Sequence, residues 1–206
     1  MTILLDCGHG RNTPGKKSPD KSLEEWAYNR EIGQRLTKLL QEHGISVYNV
    51  HPEENEVWPG GRRNLTYDLR LRTDRANKKY DELRAKGETA IYLSIHVNSA
   101  SGSGWHNARG FVPYVYREAS QTSRKFATIL YEEALKRGLK GNRSMGGSTY
   151  KEAGFWVIRK TKMPAVLTEN LFMDNHEDVD FLLSEKGKET IADLHLQAIL
   201  RLAGKK

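Results

Sequence analysis

The 206-residue chain has one cysteine, Cys7. No internal disulfide is therefore available to it, and no cysteine cluster can hold a metal. No stretch approaches the ~18 apolar residues of a membrane-crossing helix, so no membrane span is expected. The opening MTILLD has no basic n-region, and its apolar run is shorter than the ~7–15 residues of a signal-peptide core. The expectation is a protein synthesised in the cytoplasm without a signal peptide. Internal repeats, low-complexity linkers and an HExxH motif are all missing. Like charges do not cluster beyond a few residues, the final KK aside, so no nucleic-acid arm is expected and nucleic acid is not a partner.

What is present is ordinary in amount and informative in arrangement. Apolar residues make up 37% and charged residues 29% of the chain, enough at this length for one domain with a substantial core. The formal net charge of +7 either favours an anionic partner or only sets solubility. Apolar runs read as strands at 2–6, 45–50, 89–97, 110–116, 155–159 and 164–170. Amphipathic stretches read as helices at 23–42, about 68–86, about 119–137, and 175–202 in one or two pieces. Ser22 and Glu25 form a capping-box pattern at the first helix. This alternation predicts a single α/β domain with a mainly parallel twisted sheet of about six strands and helices on both faces. The strand at 89–97 reads as central. Segments 98–110 and 141–148 read as exposed loops, and 51–66 has no assignment.

In open α/β sheets, ligands bind beyond the carboxyl ends of the strands. His9 follows the first strand inside CGHG, His96 ends AIYLSIH, and Glu169 ends PAVLTE. Two imidazoles and a carboxylate thus reach one rim. That set suits zinc hydrolysis, which wants three protein ligands, a position for water and a separate proton-transfer carboxylate. The further carboxylate near His9 is Glu24 or Glu25. Each residue also has a plain reading: His9 as a turn residue, His96 as a core histidine, Glu25 as a helix cap, Glu169 as a partner of Arg159 or Lys162. His43, His51 and His195 read as surface or structural. His106 and Asn98 are candidate substrate contacts.

The ordered motifs ILLDCGHG, Glu25 with Asn29, LRLRTDRAN, LSIHVNS followed by ARGFVPYVY, and MPAVLTENLFMDN resemble the zinc-dependent N-acetylmuramoyl-L-alanine amidases of the amidase-3 type. The resemblance implies one zinc ion per chain on His9, Glu25 and His96, with Glu169 as the catalytic residue. It selects Glu25 over Glu24 because Glu25 stands four residues before Asn29. It implies hydrolysis of the amide between N-acetylmuramic acid and L-alanine in peptidoglycan, with anionic wall polymers as further binding targets. A zinc peptidase cutting within the stem peptide and a non-catalytic wall-binding protein are the alternatives. The chain departs from the family at Cys7, where proline or alanine is usual, and at ENLF, where Glu-x-Gly-Phe is usual. Cys7 reads as an extra ligand, an oxidation site or, more simply, a core residue. The glycines flanking His9 are expected to let the backbone turn it toward the metal. The expected organisation is one catalytic domain over 1–206 with no separate wall-binding module, acting as a monomer. The expected setting is a phage or prophage endolysin that acts on the wall after release, with a mother-cell amidase or the catalytic domain of a longer exported autolysin as alternatives.

Overall fold

The computed structural model describes residues 1–100 and 103–205. Ser101 and Gly102 of the expected loop 98–110, and Lys206 of the C-terminal KK, lie outside the described residues. Strands β1 (Thr2–Cys7), β2 (Ser46–Asn49), β3 (Ala90–Asn98), β4 (Val112–Val115), β5 (Lys151–Glu152) and β6 (Ala165–Phe172) form one sheet in the order β2-β1-β3-β6-β4-β5. The pairs β2–β1, β1–β3 and β3–β6 are parallel, and β4 runs antiparallel to β6. This is the mainly parallel six-stranded sheet expected, with β3 near its centre.

Alternation along β3 explains the two layers. Ile91, Leu93 and Ile95 enter the larger core with α1 (Glu25–Glu42), α3 (Gln121–Lys136), α5 (His176–Leu183) and α6 (Glu185–Ala203), while Tyr92 enters a smaller core with α2 (Leu65–Ala85) and α4 (Trp156–Arg159). Helices therefore cover both faces. Ser184 divides the C-terminal helical stretch. Its backbone is extended, and its hydroxyl accepts from Gly187 N at 3.0 Å, capping α6 as Asn175 caps α5. Among the described residues, no helix is long and apolar enough to cross a membrane.

Two local expectations are corrected. FWVIR at 155–159 is one turn of helix, not a strand, and the sixth strand is Lys151–Glu152. Val157 and Ile158 are adjacent yet both buried. A helical arc permits that, whereas a strand would send them to opposite faces. The capping box does not form either. Ser22 Oγ donates to Asp20 Oδ1 at 2.8 Å, and the helix has no side-chain cap. Glu25 is its first residue, and its carboxylate is used elsewhere.

Candidate metal centre and active site

β1 crosses to β2 through α1 on one face, and the chain then returns through α2 on the other face to pair β3 with the opposite edge of β1. The switch leaves a crevice at the carboxyl ends of β1 and β3. His9 stands just past β1, and His96 near the end of β3. Glu25 reaches them from the first turn of α1. Their ligand atoms lie within 4.8 Å of one another. Glu25 Oε2 is 3.3 Å from His9 Nε2, and Glu25 Oε1 is 3.1 Å from His96 Nδ1. Glu25 Oε1 also accepts from Val97 N at 3.0 Å. Glu25 Oε2 is buried with no hydrogen-bond partner among the described residues.

The turn holding His9 works differently from the sequence reading. His9 itself takes the left-handed conformation, φ 63°, while Gly8 and Gly10 have no positive φ. Gly8 instead supplies space, since a Cβ there would stand 2.2–2.5 Å from the His96 ring. Gly10 likewise lets the backbone at Asn55 and Glu56 approach. Asn29 Nδ2 donates to Gly8 O at 3.1 Å and Arg30 Nη1 to His9 O at 2.8 Å, which fixes the strained residue. Segment 51–66 now has a place: Glu56 N donates to Asn12 Oδ1 at 2.7 Å and Thr13 Oγ1 to Glu56 Oε1 at 2.6 Å, packing the segment on this turn.

Glu169 is opposite His96 in the β3–β6 register. A β-bulge follows between His96 and Asn98, and Asn170 Nδ2 donates to His96 O at 2.9 Å across it. Asn170 is therefore a structural support of the second histidine. Glu169 Oε2 also has no hydrogen-bond partner among the described residues.

The electrostatics separate the two glutamates. Burial opposes ionisation of Glu25, but His9 and His96 hold its pKa well below the usual carboxylate range. Burial pushes Glu169 up to about 7, with the Glu25 charge adding and His96 and Lys16 opposing. One glutamate is thus an anion fit to be a ligand, and the other is poised near neutrality for proton transfer. Burial lowers the pKa of His9 against the pull of Glu25. In His96, burial is outweighed by Glu25, so its pKa rises. Behind His96 lies a buried charged triad that the sequence reading did not bring together. Arg72 is 3.3 Å from Asp6 Oδ1 and 2.6 Å from Asp68 Oδ2, and Ser94 Oγ donates to Asp6 Oδ2 at 2.7 Å. Burial raises the Asp6 pKa, but Arg72, His96, His51 and Ser94 outweigh it and bring it to about 2.

The structure thus brings together four of the six sequence-predicted site residues: His9, Glu25, His96 and Glu169. Asn98 lies on the rim, its Oδ1 accepting from Ser99 N at 2.8 Å. His106 is not drawn into the cluster. Its backbone is tied to the β6–α5 turn, with His106 N donating to Asp174 O at 2.6 Å and Asn175 Nδ2 to His106 O at 3.0 Å. Cys7 is a core residue rather than a ligand or an oxidation site. It is buried against Gly33, and burial and then the Asp6 charge push its thiol up to about 12. His43 is exposed, and His51 and His195 are buried supports. Sequence reasoning missed Lys16, whose Nζ stands 3.8 Å from Glu25 Oε2. Only its place in the loop between β1 and Glu25 hinted at this.

An open α/β sheet with a two-histidine, one-glutamate cluster at its strand ends and a protonatable glutamate on the next strand defines a hydrolytic class of enzyme domain. The sequence matches the Amidase_3 family, N-acetylmuramoyl-L-alanine amidase, over residues 3–201. The chain belongs to that family. It is 28% identical over 201 residues to the N-acetylmuramoyl-L-alanine amidase CwlM of Bacillus licheniformis, covering 98% of this chain and 68% of the relative. It is 27% identical over 202 residues to the endolysin of Bacillus phage SPP1, covering 97% and 65%. The chain thus spans about two thirds of the length of these relatives. Its fold matches the N-acetylmuramoyl-L-alanine amidase from Clostridium difficile 630, with TM-score 0.79 at 22% identity over 100% of this chain and 97% of the other. It also matches the catalytic domain of the CD27L endolysin, with TM-score 0.68 at 21% identity over 98% and 97%. At these identities the structural likeness is one of fold. The chain is an N-acetylmuramoyl-L-alanine amidase, and its substrate is peptidoglycan.

Proposed function

We propose that this protein cleaves the amide between the lactyl group of N-acetylmuramic acid and L-alanine using one zinc ion held by His9, Glu25 and His96. The observation that carries this reading is the orphaned Glu25 Oε2, buried beside His9 Nε2 at 3.3 Å. A buried anionic oxygen is costly unless a cation completes it, and the Lys16 ammonium, 3.8 Å away and about one-third exposed, completes it only in part. The donor set of two imidazoles and a carboxylate suits zinc. Bound there, zinc supplies Lewis acidity toward water and the scissile carbonyl. Glu169 takes the proton of the attacking water and delivers it to the departing L-alanine nitrogen, a task suited to a buried carboxyl whose Oε2 has no other hydrogen-bond partner among the described residues. Glu25 holds the donor set together, accepting from Val97 N. Arg30 and Asn29 hold the His9 turn during turnover.

The proposal includes a lytic setting, with the protein made in the cytoplasm and acting on the wall after release. The phage SPP1 endolysin among its relatives supports that setting. The net charge of +7 suits attraction to anionic wall polymers. The test is clearing of purified walls by the protein with and without a chelator, alongside Glu169→Ala, with mass analysis of the products. Stem peptides beginning at L-alanine, and loss of clearing in both controls, are expected. Shortened peptides would instead make it a stem-peptide peptidase, and clearing that survives both controls would refute the zinc reading.

A further inference from the structure

The site is laid out across the sheet in strand order, and its two flanks differ chemically. On the β1 side stands Lys16. Its carbonyl accepts from Glu25 N at 3.0 Å, which ties its backbone to the start of α1, and its Nζ lies 3.8 Å from Glu25 Oε2. The side chain is about one-third exposed, at 36%, so the ammonium can meet a ligand. On the β4 side stands Tyr114. It pairs with Leu167 in the β4–β6 register while Val112 pairs with Glu169, so the Tyr114 ring rises on the face that carries Glu169. Burial first, then the Glu169 charge, raises the pKa of its hydroxyl, which stays an O–H donor. The ring packs edge-on against Phe155, with centroids 5.1 Å apart. Phe155 is 40% exposed, one of few large apolar side chains left open. From β1 to β4 is three strand spacings, about 14 Å, a span suited to a sugar with its first peptide residues.

We propose that these flanks fix the direction in which the substrate lies: the amino sugar on the acyl side of the scissile bond against Tyr114 and Phe155, and the peptide on the amine side against Lys16. This rests on the amidase reading and deepens it. The substrate is asymmetric in the same sense. Its acyl side is a neutral pyranose, whose apolar C–H face stacks on aromatic rings and whose hydroxyls and acetamido group can accept from the Tyr114 O–H. Its amine side is a peptide bearing carboxylates, the chemistry an exposed ammonium recognises. The reverse placement would set peptide carboxylates beside the Glu169 carboxyl and the aromatic pair, where the cation in register with Tyr114, Lys151, is already engaged with Ser144 Oγ. It would also leave the Lys16 charge facing a neutral sugar.

The test uses the zinc-loaded full chain and three soluble substrates. The first is a muramoyl peptide with a free carboxylate on the residue after L-alanine, the second is the same compound as the carboxamide, and the third is an N-acetyl-L-alanyl peptide without the sugar. In Phe155→Ala, the ratio of kcat/KM for the sugar-bearing over the sugarless substrate is expected to fall roughly three- to tenfold, mainly through KM. In Lys16→Met, the ratio for carboxylate over carboxamide is expected to fall by a similar factor. Both side chains are open to solvent, and thermal unfolding of each variant checks that the fold is kept. Should Phe155→Ala alter the carboxylate ratio, or Lys16→Met the sugar ratio, the direction is reversed and the proposal is overturned. Ratios that stay within twofold in both variants overturn it too. If the wild type cleaves none of the three, the amidase reading itself fails, and the proposed direction fails with it.

Discussion

At the scale of single residues, the site depends on what two neighbours forbid. Gly8 has no side chain because the His96 ring occupies the space where a Cβ would stand. Gly8→Ala must displace that ring, and cores relieve such overpacking only at a cost of about 1–3 kcal/mol. The expected outcome is a loss of zinc affinity of at least tenfold, read by chelator competition, together with a lowered unfolding temperature. Glu169 supplies a pH test. Its folded pKa, pushed up to about 7 by burial, lies above the ordinary 4.5. The wild type therefore carries a burial cost that grows as pH rises from 4.5 to 7 and levels off above it. In chelator-treated protein, Glu169→Gln is expected to be inactive yet more stable at pH 8, by on the order of 1–3 kcal/mol. That gain should vanish near pH 4.5 in urea titrations, and a gain independent of pH would refute burial as the cause.

At the scale of elements, the end of β6 shows how a departure from a family pattern is absorbed. Leu171 has φ 66°, a left-handed conformation that favours glycine, and its side chain is nevertheless buried in the larger core. Packing thus holds a residue where the backbone alone would choose glycine, the residue usual at this point of the motif. Elsewhere, replacing alanine by glycine costs about 0.5–1 kcal/mol. Here the order should invert. Leu171→Ala loses the packing and keeps the strain, whereas Leu171→Gly loses the packing and sheds the strain. The glycine variant should be the more stable of the two by about 1 kcal/mol in denaturant unfolding; equal stability would mean the turn is unstrained.

At the scale of the whole molecule, the sheet is locked to α6 by a histidine far from the site. His195 is fully buried; its Nδ1 lies 2.8 Å from Ile191 O and its Nε2 3.0 Å from Thr168 Oγ1. A ring that donates from Nδ1 accepts at Nε2 and is neutral. Burial lowers its pKa to about 4, against 6.5 unfolded. Below 6.5 the unfolded chain takes up a proton that the folded chain refuses, so stability falls as pH drops from 6.5 to 4, by on the order of 3 kcal/mol. His195→Gln should flatten this slope in urea titrations at pH 7 and 5. The Glu169 effect runs the opposite way in that window, so the two variants must be read separately.

Much was legible in the sequence because it is written in local patterns. Two-residue alternation marked the central strands, and 3.6-residue periodicity marked the long helices. Polar residues just past strands marked His9, His96 and Glu169. What failed did so because a distant partner decided it. Ser22 and Glu25 match a helix cap, but the two histidines and Val97 N, reached only through the fold, claim the Glu25 carboxylate. FWVIR is apolar enough for a strand, yet α2 offers its surface to two adjacent side chains and so demands a helical turn. Lys16 and the Tyr114–Phe155 edge have no spacing signal at all, and Asp6 and Arg72 stand in two separate motifs whose meeting only the fold shows, since residues from separate elements build them. Composition and periodicity settled the α/β class, the polar residues past the strand ends marked His9, His96 and Glu169, and the resemblance to a family selected Glu25 over Glu24. Only the tertiary structure decided which glutamate keeps its charge and which is held near neutrality, because burial and the distance to other charges set a pKa, and neither exists until the chain has folded.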